Sequence, residues 1–211
     1  MRKPLFVTFE GIDGCGKSTQ IALLHRLLVE RGIDAVALRD PGSTSVSEAV
    51  RAVLLGKRFA IAPQTELLLY EAARAQLVQE LIRPALEQGR VVLCDRFYDS
   101  TTAYQGYGRG IDPEIVAAAN RLGSCGLKPH LTLLIDIQPE AAAERRLKER
   151  PDDRMEAEGL EFQRRVRSGF LEIHAAEPDR VRLIDGNRSI QDIQAEIQSL
   201  FFHLWEKAPG E

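Results

Sequence analysis

The chain has 211 residues, 44% hydrophobic and 28% charged, with a net charge of −3. That length suits one domain with a core large enough to need no disulfides, and the balance excludes a disordered chain. The slight acidity argues against a protein built mainly to bind nucleic acid, which would be basic. The three cysteines, Cys15, Cys94 and Cys125, are widely spaced and form no metal-ligand pattern. They suggest reduced thiols in a cytoplasmic protein. The opening MRKPLFVTFEG has too short an apolar run for a secretion signal. No stretch approaches the ~20 apolar residues of a membrane span.

In chain order, residues 5–9, 35–38, 91–94, 131–135 and 181–184 are short runs rich in Val, Ile, Leu or Phe. Runs of this kind, without alternation, suit strands buried on both faces of a parallel sheet. Helical patterns lie between them. Residues 17–31 place Ile21, Leu24, Leu27 and Leu28 on one face and stop at Gly32. Residues 66–88 carry a second pattern, which Pro84 should interrupt. Pro113 and Pro139 stand where a first helical turn would begin. Residues 189–205 carry an apolar stripe behind Ser189, a good N-cap. Alternating strands and helices predict an α/β fold with right-handed crossovers and no internal repeat. The tail from Ala208 to Glu211 suits a frayed end.

The strongest motif is Gly11-Ile12-Asp13-Gly14-Cys15-Gly16-Lys17-Ser18, then Thr19, which fits the phosphate-loop pattern between a strand and a helix. Glycines let backbone N–H groups curl around an anion, and the helix start adds its positive dipole. Lys17 would reach the β- and γ-phosphates, and Ser18 would ligate Mg²⁺. The fixed positions recur by chance in only about 1% of chains this long. Asp95 ends the third apolar run, at the strand edge where open α/β sheets bind ligands, so it is a candidate to hold the Mg²⁺ opposite Ser18. Arg96 follows it with a fork for a second phosphate. Further on, Arg145, Arg146, Arg150 and Arg154 surround Pro151, Asp152 and Asp153. That segment reads as a charged loop able to close over phosphates, although on spacing alone a solvated helix with Glu–Arg pairs is the better reading.

Five segments now stand in one order: FEGIDGCGKST at 9–19, RDPGST at 39–44, LLLYEAARAQ at 67–76, CDRFYDSTTAYQG at 94–106 and DRMEAE at 153–158. Together they resemble the thymidylate kinase family over roughly residues 4–190. The resemblance implies a P-loop nucleotide kinase fold, with a five-stranded parallel sheet between helices and a small lid near 143–157. It implies ATP-dependent, Mg²⁺-assisted conversion of dTMP to dTDP by a homodimer. It places the donor on residues 11–19. For the acceptor it implies Asp13 on the sugar 3′-hydroxyl, Tyr70 stacked on thymine, and Arg74 and Thr101 on the base edge. Arg96 would take the acceptor phosphate and Tyr104 would crowd the 2′ position, with Ser100 and Gln105 in the same pocket. The phosphate loop carries no arginine in its variable stretch, so the resemblance is to the bacterial type in which Arg150 or Arg154 of the lid is catalytic. Asp40, Ser43, Tyr70 and Pro151 depart from the usual pattern. The competing readings are another small-molecule kinase and a nucleotide switch; the N-K-x-D segment of guanine-specific switches is absent from the sequence.

Overall fold

A computed structural model describes residues 4–147, 154–155 and 158–207, with the side chains of Arg146 and Leu147 excepted. Arg150 lies outside the described residues. The elements run β1 (Leu5–Glu10), α1 (Lys17–Glu30), β2 (Ala35–Arg39), α2 (Ser45–Leu55), α3 (Pro63–Leu77), a π-helical segment (Val78–Ile82) and α4 (Arg83–Glu87). Then follow β3 (Val91–Asp95), α5 (Tyr98–Thr101), a second π-helical segment (Thr102–Gly108), α6 (Pro113–Gly123), β4 (Leu131–Asp136), α7 (Pro139–Leu147), α8 (Leu160–Ala176), β5 (Val181–Asp185) and α9 (Ile190–Lys207). The five strands pair in parallel in the order β2-β3-β1-β4-β5. No described helix is long and apolar enough to cross a membrane.

Strand alternation divides the core. Leu5, Val7 and Phe9 face α1 and α9, packing with Leu24, Leu28, Ile197 and Phe201. Phe6 faces the other way, onto Leu77, Val78, Ile82 and Phe97. Beyond it the same layer continues with α8, whose Phe162, Val166 and Phe170 cover Leu134 and Ile135. Helices therefore cover both faces, as near-continuous apolar strands require.

All five strands run one residue past the last apolar position, to Glu10, Arg39, Asp95, Asp136 and Asp185. Pairing with a neighbour, not hydrophobicity, sets where a strand stops. The effect is a row of charged side chains along the carboxyl edge of the sheet, where the phosphate loop leaves β1. The pattern over 66–88 is indeed interrupted near Pro84: proline cannot donate to an i−4 carbonyl, and the helix widens into a π turn before restarting as α4. Ser189 caps α9, accepting the Asp192 N–H at 3.1 Å.

Candidate active site

The phosphate loop is held by close contacts. Gly11 has φ +133°, and a Cβ there would lie 2.3 Å from the Ile135 carbonyl oxygen. Gly14, at φ +87°, would meet the Ala142 carbonyl at 2.6 Å. Only glycine lets the loop press against β4 and α7 in this way. No side chain caps the start of α1, so its first N–H groups remain for an anion. Lys17 Nζ folds back over the loop, donating to the carbonyls of Gly11 and Ile12, each at 3.1 Å. Ser18 Oγ donates to Asp95 Oδ2 at 2.8 Å. Hydroxyl and carboxylate thus stand together at the sheet edge.

Arg96 leaves β3 at φ +71°, a left-handed conformation unusual for an L-residue. Its Nη1 donates to Gly11 O at 3.0 Å and Ser100 Oγ at 2.8 Å. Its Nη2 donates to Asp13 Oδ1 at 2.6 Å and to the Tyr104 hydroxyl at 3.2 Å. The Tyr104 hydroxyl in turn donates to Asp13 Oδ2 at 2.8 Å. Burial pushes the Asp13 carboxyl up, but Arg96, Lys17 and the Tyr104 hydrogen bond outweigh it and hold that carboxyl well below the usual range. Asp13 is therefore an ionised acceptor.

Two joined hollows meet at this cluster. The larger, about 660 Å³, runs from the phosphate loop along the ends of the strands, and Lys17, Ser18, Asp95 and Arg96 line it. Arg39, Arg51, Arg145 and Arg188 line it too. The narrower one, about 80 Å³, is lined by Tyr70, Arg74, Ser100, Thr101, Tyr104 and Gln105. Every described acceptor residue expected from the sequence is thus in one place. The hollows share Asp13, Asp40, Arg51 and Arg96.

Arg74 is fully enclosed, 1% exposed. Its Nε donates to Asp40 Oδ2 at 2.6 Å and its Nη1 to Glu71 Oε1 at 2.5 Å. Its Nη2 reaches the Thr101 hydroxyl at 2.8 Å. Most of the fork is thus committed to the protein, and Thr101 meets Arg74 before it meets any ligand. Arg74→Ala is expected to lower stability by roughly 3–5 kcal/mol, because it strands buried carboxylates. Urea denaturation reads this; a loss below about 1 kcal/mol, the scale of an exposed pair, would contradict it.

Arg154 sits apart from the phosphate loop. Its Nε donates to Leu54 O at 2.6 Å, and its Nη2 pairs with Glu66 at 2.6 Å. Glu66, fully buried on α3, also binds Arg109 through both oxygens and accepts from Gln105 at 2.9 Å. Arg154 thus docks beside the narrow hollow and lines neither one, while its neighbour Met155 lines the narrow one. Sequence reasoning missed Met155, Arg39 and Arg51. Arg51 lies on α2 and donates to Pro41 O at 2.9 Å. A signal for it existed: Thr44 caps α2, and Ser47, Arg51 and Leu54 share one face at helical spacing.

A family model described as thymidylate kinase matches residues 9–197. The chain belongs to the thymidylate kinase family. It is 47% identical over 202 residues to the thymidylate kinase of Prosthecochloris aestuarii, covering 92% of this chain and 91% of that one. It is 44% identical over 203 residues to the thymidylate kinase of Kosmotoga olearia, covering 96% and 98%. The crystal structure of thymidylate kinase from Ehrlichia chaffeensis superimposes with a TM-score of 0.79 at 35% identity, over 94% of this chain and 99% of that one. Thymidylate kinase likeness therefore extends over both hollows and the elements between them.

Proposed function

We infer that the chain transfers the γ-phosphoryl group of ATP to dTMP, giving ADP and dTDP. The observation that carries this reading is the meeting of Lys17 and Arg96 on one carbonyl, Gly11 O. A cation for the donor phosphates and a fork for the acceptor phosphate are thereby held side by side. The nucleophile is an oxygen of a phosphate monoester, whose second pKa is about 6. At neutral pH it is already ionised, so no general base is required. The work of the site is to bring anions together and to stabilise charge spreading over the transferring group. The arginines around the larger hollow suit that work.

ATP fits the larger hollow, with its phosphates on residues 11–19 and its γ-phosphate toward Lys17. The acceptor phosphate lies on Arg96, the sugar 3′-hydroxyl on Asp13, and Tyr104 beside C2′. Thymine lies against Tyr70, near Arg74, Thr101, Ser100 and Gln105. A pocket of about 80 Å³ holds less than the whole nucleotide, so dTMP spans it and the adjoining hollow. Ser18 and Asp95 fit Mg²⁺: both are hard oxygen donors and their oxygens stand 2.8 Å apart, and Mg²⁺ takes few protein ligands beside waters and substrate phosphates. When bound, Mg²⁺ would neutralise charge on the β- and γ-phosphates. Arg154 and Arg150 remain the lid's candidates to meet the phosphates. For Arg154 this requires release from Glu66.

The chain acts as a homodimer in the cytoplasm, in this reading. Exposed Leu68 on α3 and Ile115 and Leu122 on the adjoining α6 offer an apolar face for a second copy. The three unpaired cysteines suit a reducing compartment. Light scattering giving twice the mass of one chain supports the dimer, and a single-chain mass overturns it. For the base platform, Tyr70→Ala is expected to weaken dTMP by about 1–3 kcal/mol, the worth of a base–aromatic stack, with ATP affinity unchanged. Titration calorimetry with each nucleotide checks this, and unchanged dTMP affinity would remove Tyr70 from the site.

A further inference from the structure

Glu10, the last residue of β1, is fully buried. The alternation that sends Leu5, Val7 and Phe9 toward α1 and α9 sends Glu10 to the opposite face, beneath the turn that follows β3. One carboxylate oxygen accepts the Phe97 N–H at 2.7 Å, and the other accepts the Ser100 hydroxyl at 2.5 Å. The carbonyl of the preceding residue, Phe9, accepts the Arg96 N–H at 3.0 Å. Consecutive residues of β1 thus hold consecutive amides of the turn, on both sides of the Arg96 Cα.

That Cα is the strained one, at φ +71°. A left-handed L-residue costs about 1–2 kcal/mol and persists only where its surroundings over-determine it. Glu10 supplies that determination through the Phe97 amide and the Ser100 hydroxyl, with a longer ion-pair contact of 4.0 Å to the guanidinium itself. Ser100 carries the connection further, because its hydroxyl oxygen also accepts Arg96 Nη1 at 2.8 Å. The residue after Glu10 is Gly11, whose carbonyl receives both Lys17 and Arg96.

A carboxylate is a costly choice at this position. Burial and the neighbouring Asp99 push its pKa up, against Arg96 and the hydrogen bonds from Ser100 and Phe97. Packing alone would favour an apolar residue, and departures from local preference concentrate where function requires them.

We propose that Glu10 is a positioning residue for phosphoryl transfer, clamping the Phe97 amide and the Ser100 hydroxyl so that Arg96 holds the acceptor phosphate in register with the phosphate loop. The proposal rests on the reading of Arg96 as the acceptor-phosphate residue.

The test is steady-state kinetics of the full chain as wild type, Glu10→Gln and Glu10→Ala, varying dTMP and ATP separately. Glu10→Ala is expected to lower kcat/KM for dTMP by about a hundred-fold, the scale of a misplaced reacting group, while KM for ATP stays at the wild-type value. Glu10→Gln preserves shape and one acceptor oxygen but faces the other partner with a donor. It is expected to recover part of the loss and remain about ten-fold below wild type, the scale of one buried hydrogen bond turned to the wrong partner. A Glu10→Gln enzyme with wild-type constants for dTMP overturns the proposal even if Glu10→Ala does not fold. Equal losses toward ATP and dTMP overturn it too, since they mark a general structural role. A wild type whose ADP release ignores dTMP overturns the acceptor reading, and the proposal with it.

Discussion

Lys17→Ala lowers kcat by roughly a hundred- to a thousand-fold, the effect of deleting one preorganised charge-stabilising donor, and leaves the fold intact. Lys17 is 6% exposed, and among the described residues its hydrogen bonds go to the loop it closes. Its two carbonyl partners keep other donors: Gly11 O has Arg96 at 3.0 Å and Ile12 O has the Cys15 N–H at 3.3 Å. Neither carbonyl is orphaned, and Cys15 Sγ is only a weak acceptor, so the stability penalty of a lost partner stays small. Initial rates at saturating ATP and dTMP, with thermal unfolding of the same samples, separate the two effects. A nearly normal rate in the folded variant would remove Lys17 from the mechanism.

Arg96→Ala acts on the other substrate. Truncating one member of a buried, hydrogen-bonded charge pair costs about 2–5 kcal/mol, so kcat/KM for dTMP is expected to fall by roughly thirty- to several-thousand-fold. Two losses combine: the fork for the acceptor phosphate, and the cation that keeps Asp13 ionised and aimed. Arg96→Lys restores charge without the planar fork and recovers only part of the rate. KM for ATP stays near wild type, because the donor side keeps Lys17, Ser18 and the loop amides. Equal losses toward ATP and dTMP would contradict this division of labour.

The parts of the site legible in sequence are those written in contiguous residues. The phosphate loop is a local backbone device, so its glycines, Lys17 and Ser18 could be placed by spacing alone. Asp95 and Arg96 were legible because a charged pair ends an apolar run, at the strand edge that binds ligands in such sheets. The acceptor side, in contrast, was legible only through resemblance. Tyr70 and Arg74 share a helix face at a spacing that any surface helix can show. The partner that orients Arg74 is Asp40, 34 residues away, and the partner of Arg154 is Glu66. Helix α2, which carries Arg51, was readable from its one-face spacing, but that spacing alone does not point to a ligand.

Glu10 illustrates the same limit from the opposite direction. In sequence it is the polar residue that ends an apolar strand next to a glycine, and it drew no functional reading. Its role depends on the register of β1 with β3, where Phe9 stands beside Asp95. Only that pairing brings the carboxylate under the amide that follows Arg96.

The most direct measurement is ADP release from ATP by the purified chain, with Mg²⁺ supplied or chelated, across dTMP, dUMP, dCMP, dAMP, dGMP and thymidine, with the product identified. Strong stimulation by dTMP, at most weaker stimulation by dUMP, formation of dTDP and loss of turnover on chelation are the predicted result. Faster turnover with thymidine or another monophosphate, or release that needs no acceptor, would contradict it.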